Sequence, residues 1–267
     1  MTTKINELQK PKLKNPVLIV GLPGVGNVGR IAAGYLIEEL KATKFAELNS
    51  SHFMPFVLLQ KGSAVHVINN EFYYWRGGKP GQRDIVILIG DSQSINPEGH
   101  YEIADAILQY AKALGVAEVF TLAGLGIGHK KDAPKVVGVV NDMAVAKRHK
   151  DLGIDFNAGD RVGTIVGAAG LLIGLGRQYG MDGICVLGET SGVPLIPDPK
   201  AAEAVLRVLA RVLKVKIDTS RIQKKVKEME AFIKRVEAVQ QNAMMQLLKQ
   251  QMPEAAKKDD KDLTYIG

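Results

Sequence analysis

Three glycines spaced Gly24-Val-Gly26-Asn-Val-Gly29 follow the apolar run Pro16-Val-Leu-Ile-Val-Gly21 and precede a helical pattern. A glycine loop in that setting can present free backbone N–H groups to an anion at the helix start. Glu47 stands near the offset at which a ribose-binding acid would complete a nucleotide site. Pro23, however, removes one donor from the loop. The same glycines also serve a sharp strand-to-helix turn with close packing, which needs no ligand. Both readings are open from the sequence, and they differ on what Gly24, Gly26 and Gly29 face.

Three more loops follow apolar runs: Asp91-Ser-Gln-Ser94, residues 124–129 and Glu189-Thr-Ser-Gly192. If the strands before them are parallel, all four loops share one carboxyl edge, where open α/β sheets place ligands. His129 and Glu189 are then the natural acid–base pair, with Asp91 as an orienting carboxylate. Polar turns are equally what any parallel strand needs on leaving the sheet. Nothing else supports catalysis. His52, His66, His100 and His149 lack metal-ligand spacing, there is no GxSxG elbow, and Cys185 sits inside an apolar run as a small core filler. The expectation is a protein without catalytic residues, metal or cofactor.

The elements that must position these loops are short buried strands alternating with amphipathic helices. Residues 84–90, 119–122 and 184–187 read as strands, and 98–114, 165–179 and 201–213 as helices. Residues 136–146 read as one more strand and a turn. Between a strand at 45–48 and the break at 77–81, residues 55–76 read as an inserted antiparallel meander. Its Tyr73-Tyr-Trp75 is either an exposed contact patch or sheet core. The predicted fold is a three-layer α/β/α domain over residues 1–218, built on a mostly parallel sheet.

Beyond residue 218 the pattern changes. Ile222, Val226, Met229, Ile233 and Val236 recur in a four-three alternation, the narrow stripe of a long helix that packs on a partner helix. That predicts an oligomerisation helix over residues 219–250. Residues 251–267 form a polar, charged linker closed by Leu263-Thr-Tyr265-Ile266-Gly267, an apolar cluster suited to docking. The formal charge of +7 suggests nucleic acid until it is located. Residues 219–250 hold seven basic against three acidic side chains, and such runs commonly just solvate a helix face. A single cysteine, the absence of a signal-like N-terminus and the lack of a long apolar span predict a cytoplasmic protein without membrane or nucleic-acid partners.

The run Val17 to Gly29, the hairpins ending at Trp75, Gly90-Asp-Ser-Gln93, Gly124-Leu-Gly126 and Gly188-Glu-Thr-Ser-Gly192 together resemble the archaeal branch of the proteasome assembly chaperone family. The resemblance covers residues 16–213 and implies a body shaped like nucleoside phosphorylases, with no established catalytic residues. It also implies ring-like self-association, as a homopentamer, and 20S proteasome α-subunits as partners. These would be reached through the C-terminal residues Leu263, Tyr265, Ile266 and Gly267. Tails of this kind end hydrophobic–Tyr–any residue; here Tyr265 stands one position earlier. The runner-up reading from the residues themselves is an enzyme or sensor of nucleosides or phosphorylated metabolites, using Gly24, Gly26, Gly29, His129 and Glu189.

Overall fold

Runs of β-branched and leucine side chains bounded by Gly or Pro make four strands that are buried on both faces. In the computed structural model these are β2 (Val17–Gly21), β7 (Ile85–Gly90), β8 (Glu118–Gly126) and β10 (Asp182–Thr190). The structure describes residues 3–222 except 60, 130, 160, 194 and 195, together with 224, 238 and 245. The remaining strands are β1 (Lys4–Glu7), β3 (Thr43–Asn49), β4 (Val57–Leu59), β5 (Val65–Val67), β6 (Asn70–Trp75) and β9 (Val136–Val140). The helices are α1 (Val28–Leu40), α2 (Pro97–Ala113), α3 (Met143–His149), α4 (Ala168–Gly176) and α5 (Pro199–Leu213).

Eight strands join in the order β1-β3-β6-β7-β2-β8-β10-β9. The central four, β7-β2-β8-β10, are parallel, and antiparallel strands flank them on both sides. The sheet is therefore mixed, with a parallel centre. Alternation along each strand divides the core. Val17 and Ile19 pack with Ile31, Leu36 and Leu206 of α1 and α5, whereas Leu18 and Val20 pack with Ile107 and Leu172 of α2 and α4. Period-two strands thus feed two helical layers, giving the three layers expected. Cys185 is fully buried within this structure, and burial pushes its thiol up to about 11.

The expected meander divides. β6 enters the main sheet between β3 and β7, while β4 and β5 form a separate ribbon. Tyr73, Tyr74 and Trp75 are half-buried in β6 and contact the two cores, so the sheet reading of these aromatics holds. The ribbon exposes Val57, Leu59, Val65 and Val67, whereas Leu58 on its other face is buried. Two elements appear that the sequence reading does not contain. β1 is a charged edge strand, and α3 follows β9 where only a turn was expected; Asp142 Oδ1 caps it by accepting from the Ala144 amide (2.8 Å).

Past α5 the chain is fastened to the α1 side of the domain. Gln82 donates to the Lys214 carbonyl (2.7 Å), Tyr35 Oη to the Asp218 carbonyl (2.5 Å), and the Asp218 amide to Glu39 (3.2 Å). Ile222, the first member of the expected interface stripe, is 1% exposed within this core. Its side chain is used by the domain itself. Val226, Met229, Ile233 and Val236, with the rest of the expected oligomerisation helix past 224 save 238 and 245, lie outside the described residues, as do Leu263, Tyr265, Ile266 and Gly267. No helix among the described residues is long and apolar enough to cross a membrane.

Candidate functional site

Because β2, β7, β8 and β10 are parallel, the loops after them do share one edge, as the sequence predicts. The glycine loop begins as a 3-10 turn at Val25–Asn27 and passes into α1. Two of its glycines, Gly26 and Gly29, face protein rather than solvent. A Cβ at Gly29 would sit 2.1 Å from the Leu122 carbonyl oxygen, so only a glycine lets α1 approach β8 this closely. Gly26 has φ +62, and a Cβ there would lie 2.9 Å from Thr190 Oγ1. Thr190 donates to Asp198 (2.8 Å), which also caps α5 through the Ala201 amide and donates its own amide to the Gly26 carbonyl (2.9 Å). Gly24 differs from both: a Cβ there would meet nothing within 4 Å. For Gly26 and Gly29 the packing reading is the one the geometry favours.

The expected acid–base pair is not assembled. Glu189 is buried, and its carboxylate accepts from Lys131 Nζ (2.8 Å) and the Lys135 amide (3.0 Å), with Arg161 at 3.9 Å. Burial alone would raise its pKa, but Lys131, the Lys135 amide and Arg161 outweigh that and hold it below the usual carboxylate range. His129 is exposed, and among the described residues it is not a partner of Glu189. A base so tied to cations is poorly suited to take a proton. Asp91 orients neither residue. It accepts from Arg30 Nη2 (2.9 Å) and lies 2.6 Å from His66 Nε2, linking α1, β7 and the β4–β5 ribbon.

Between these two charged clusters, β2 and β8 end beside a cavity of about 380 Å³. Its floor includes Gly24, Val25 and Leu125, and its roof is the segment 162–169 that leads into α4. Gln93 ties roof to floor: Nε2 donates to the Pro23 carbonyl (2.6 Å) and Oε1 accepts from the Ala168 amide (2.9 Å). None of the described lining residues is charged. A phosphate placed here would therefore have no counter-ion, and the first amide of α4 is already taken by Gln93. The sequence reading missed Gln93, Arg30, His66 and Asp198; Gln93 sits in a loop the sequence marks and Asp198-Pro199 is a local helix-start signal, but nothing local announces the pairing of Arg30 and His66 with Asp91.

The comparisons with known proteins agree across nearly the whole chain. The PAC2 family model matches residues 18–237. An uncharacterized protein of Methanocaldococcus jannaschii is 35% identical over all of this chain and 97% of its own length. Pyrococcus furiosus PbaB, described as an archaeal proteasome activator, is 39% identical with a TM-score of 0.80, covering 88% of this chain and 99% of that one. Pyrococcus furiosus PbaA, described as an archaeal homologue of proteasome-assembly chaperone, is 30% identical with a TM-score of 0.72, covering 90% and 100%. With the parallel centre, the packed glycine loop and the full-length matches in agreement, this chain belongs to the PAC2 family.

Proposed function

We propose that this protein is an oligomeric, non-enzymatic proteasome assembly factor of the cytoplasm that binds 20S α-subunits through its C-terminal residues. The observation that carries the reading is the likeness to PbaB and PbaA over 88% and 90% of this chain. The site geometry supports it from the other side, since Asp91 and Glu189, the carboxylates of the carboxyl edge, are each held by basic side chains. Self-association, with a homopentamer as the expected form, rests on the stripe Val226, Met229, Ile233 and Val236. The exposed aliphatic face of the β4–β5 ribbon offers a further apolar surface in support. Leu263, Tyr265, Ile266 and Gly267 are the proposed docking residues, and several tails on one ring would raise avidity well above that of one weak motif.

A second reading, activation of the mature proteasome rather than its assembly, is favoured by the higher identity and TM-score with PbaB than with PbaA. Deleting residues 263–267 tests the shared part. The variant should keep its fold and native mass yet lose α-subunit binding in pull-down; unchanged binding would refute the tail's role, and a monomeric native mass for the intact protein would refute self-association. Adding the intact protein to free α-subunits and, separately, to assembled 20S particles then divides the two readings. Faster ring formation marks an assembly factor, and faster peptide hydrolysis an activator.

A further inference from the structure

We infer that the cavity between the carboxyl ends of β2 and β8 is a binding site for an uncharged, largely apolar small molecule. Its position is the first reason. From β2 the chain passes through α1 toward β3 on one side of the sheet; from β8 it passes toward β10 on the other. α1 and α4 lie on opposite faces. Connections that diverge in this way open a crevice between the two strand ends, the place where open α/β sheets receive ligands.

The lining decides the chemistry. At about 380 Å³ the space falls within the size range of small-molecule pockets. Its walls are aliphatic side chains and glycine backbone, from Val25, Leu125, Val162 and Ile165 to Gly124 and Gly126. Gln93 and Thr164 supply the polar side chains among the described lining residues, and both hydrogen bonds of the Gln93 amide described above go to protein. A charged ligand would lose its hydration here without gaining a counter-ion among the described lining residues, whereas a neutral ring would gain contact on floor and roof. Val166, 84% exposed, adds an apolar side chain to the lining at the solvent side.

Gly24 gives the second reason. Its backbone is extended (φ −177), a conformation open to any residue, so no strain explains a glycine there. A side chain would meet open space, in contrast to Gly26 and Gly29 of the same loop. Gly24 lines the cavity and is itself exposed, so a larger residue there changes the lining without pushing on the fold.

This inference stands apart from the proteasome reading and is tested on the full-length protein with a matched pair of probes, 1-naphthol and 1-naphthyl phosphate. 1-Naphthol should bind and give intermolecular NOEs to the methyl groups of Val25, Leu125 and Ile165. The phosphate ester should bind at least about tenfold more weakly, and Gly24→Leu should weaken 1-naphthol by at least about tenfold, a difference of about 1.4 kcal/mol. Absence of those NOEs, equal binding of the ester, or unchanged 1-naphthol binding by Gly24→Leu would each overturn the assignment. Should Gly24→Leu fail to fold, the NOEs and the probe pair on the unaltered protein still decide it.

Discussion

Along the carboxyl edge of the sheet, charged and neutral stretches alternate, and they are built on different principles. At β7, Asp91 holds Arg30 and His66; at β10, Glu189 holds Lys131, the Lys135 amide and, more distantly, Arg161. Each cluster sets a carboxylate among basic side chains and joins segments far apart in sequence. The stretch between them, at β2 and β8, has no charge to balance and is shaped by glycine and aliphatic carbon. The contrast teaches where function should be sought. Ionisable groups at a sheet edge invite a catalytic reading, but here Asp91 and Glu189 are tied to cations, and the cavity between them has no charged residue among its described lining.

The sharpest way to break this comparison is within the glycine loop itself. Gly29→Ala should cost about 3 kcal/mol or more, because the new methyl meets the Leu122 carbonyl, a backbone atom with little freedom to retreat. Gly24→Ala should stay within about 0.5 kcal/mol of the parent. Urea unfolding of both variants measures the difference; equal costs would show that the loop is packed alike at both positions.

Asp91→Asn comes next. It removes the carboxylate shared by Arg30 and His66, both largely buried beside it, and should cost about 2 kcal/mol. Amide exchange in the β4–β5 ribbon should quicken more than in β8, since His66 ties the ribbon to Asp91 at the end of β7. A loss spread evenly over all strands would mean that Asp91 does not act as a local fastener.

The smallest effect concerns Glu189. Its carboxyl is held below the ordinary value of 4.5 in the folded protein. A depressed acid contributes stability that is complete above its unfolded pKa and is lost as pH falls through the folded one. Glu189→Gln should cost about 1 kcal/mol at pH 7, and the gap between variant and parent should narrow on acidification below about pH 4.5. A gap that stays constant with pH would remove the charge from the explanation.

What the sequence made legible follows from the range of each interaction. The central strands announce themselves as unbroken apolar runs because both of their faces are covered. The four loops could be placed on one edge for the same reason. β1 gave no such signal: Lys4, Asn6 and Glu7 are exposed on an edge strand, where charge guards against stray pairing. The division of the meander was hidden because β5 and β6 carry similar short patterns, and only register with β3 and β7 tells them apart. The site was least legible. Asp91 meets Arg30 across 61 positions and Lys131 meets Glu189 across 58, distances at which no spacing rule operates. His129 and Glu189 looked like a pair because the sequence places both in loops after parallel strands, whereas Glu189 lies within β10. Shared location did not make them partners.

The stapling of residues 214–222 onto α1 has a mechanical corollary. With Tyr35, Gln82 and Glu39 gripping the backbone and Ile222 sunk in the core, the chain is clamped before its final 45 residues begin. Any pull on the far end is delivered to one helix-covered flank rather than dissipated by swivelling of the body. In an assembly of identical copies such clamps would stand at set intervals, and only a target whose receptors repeat at a compatible pitch could recruit several ends together.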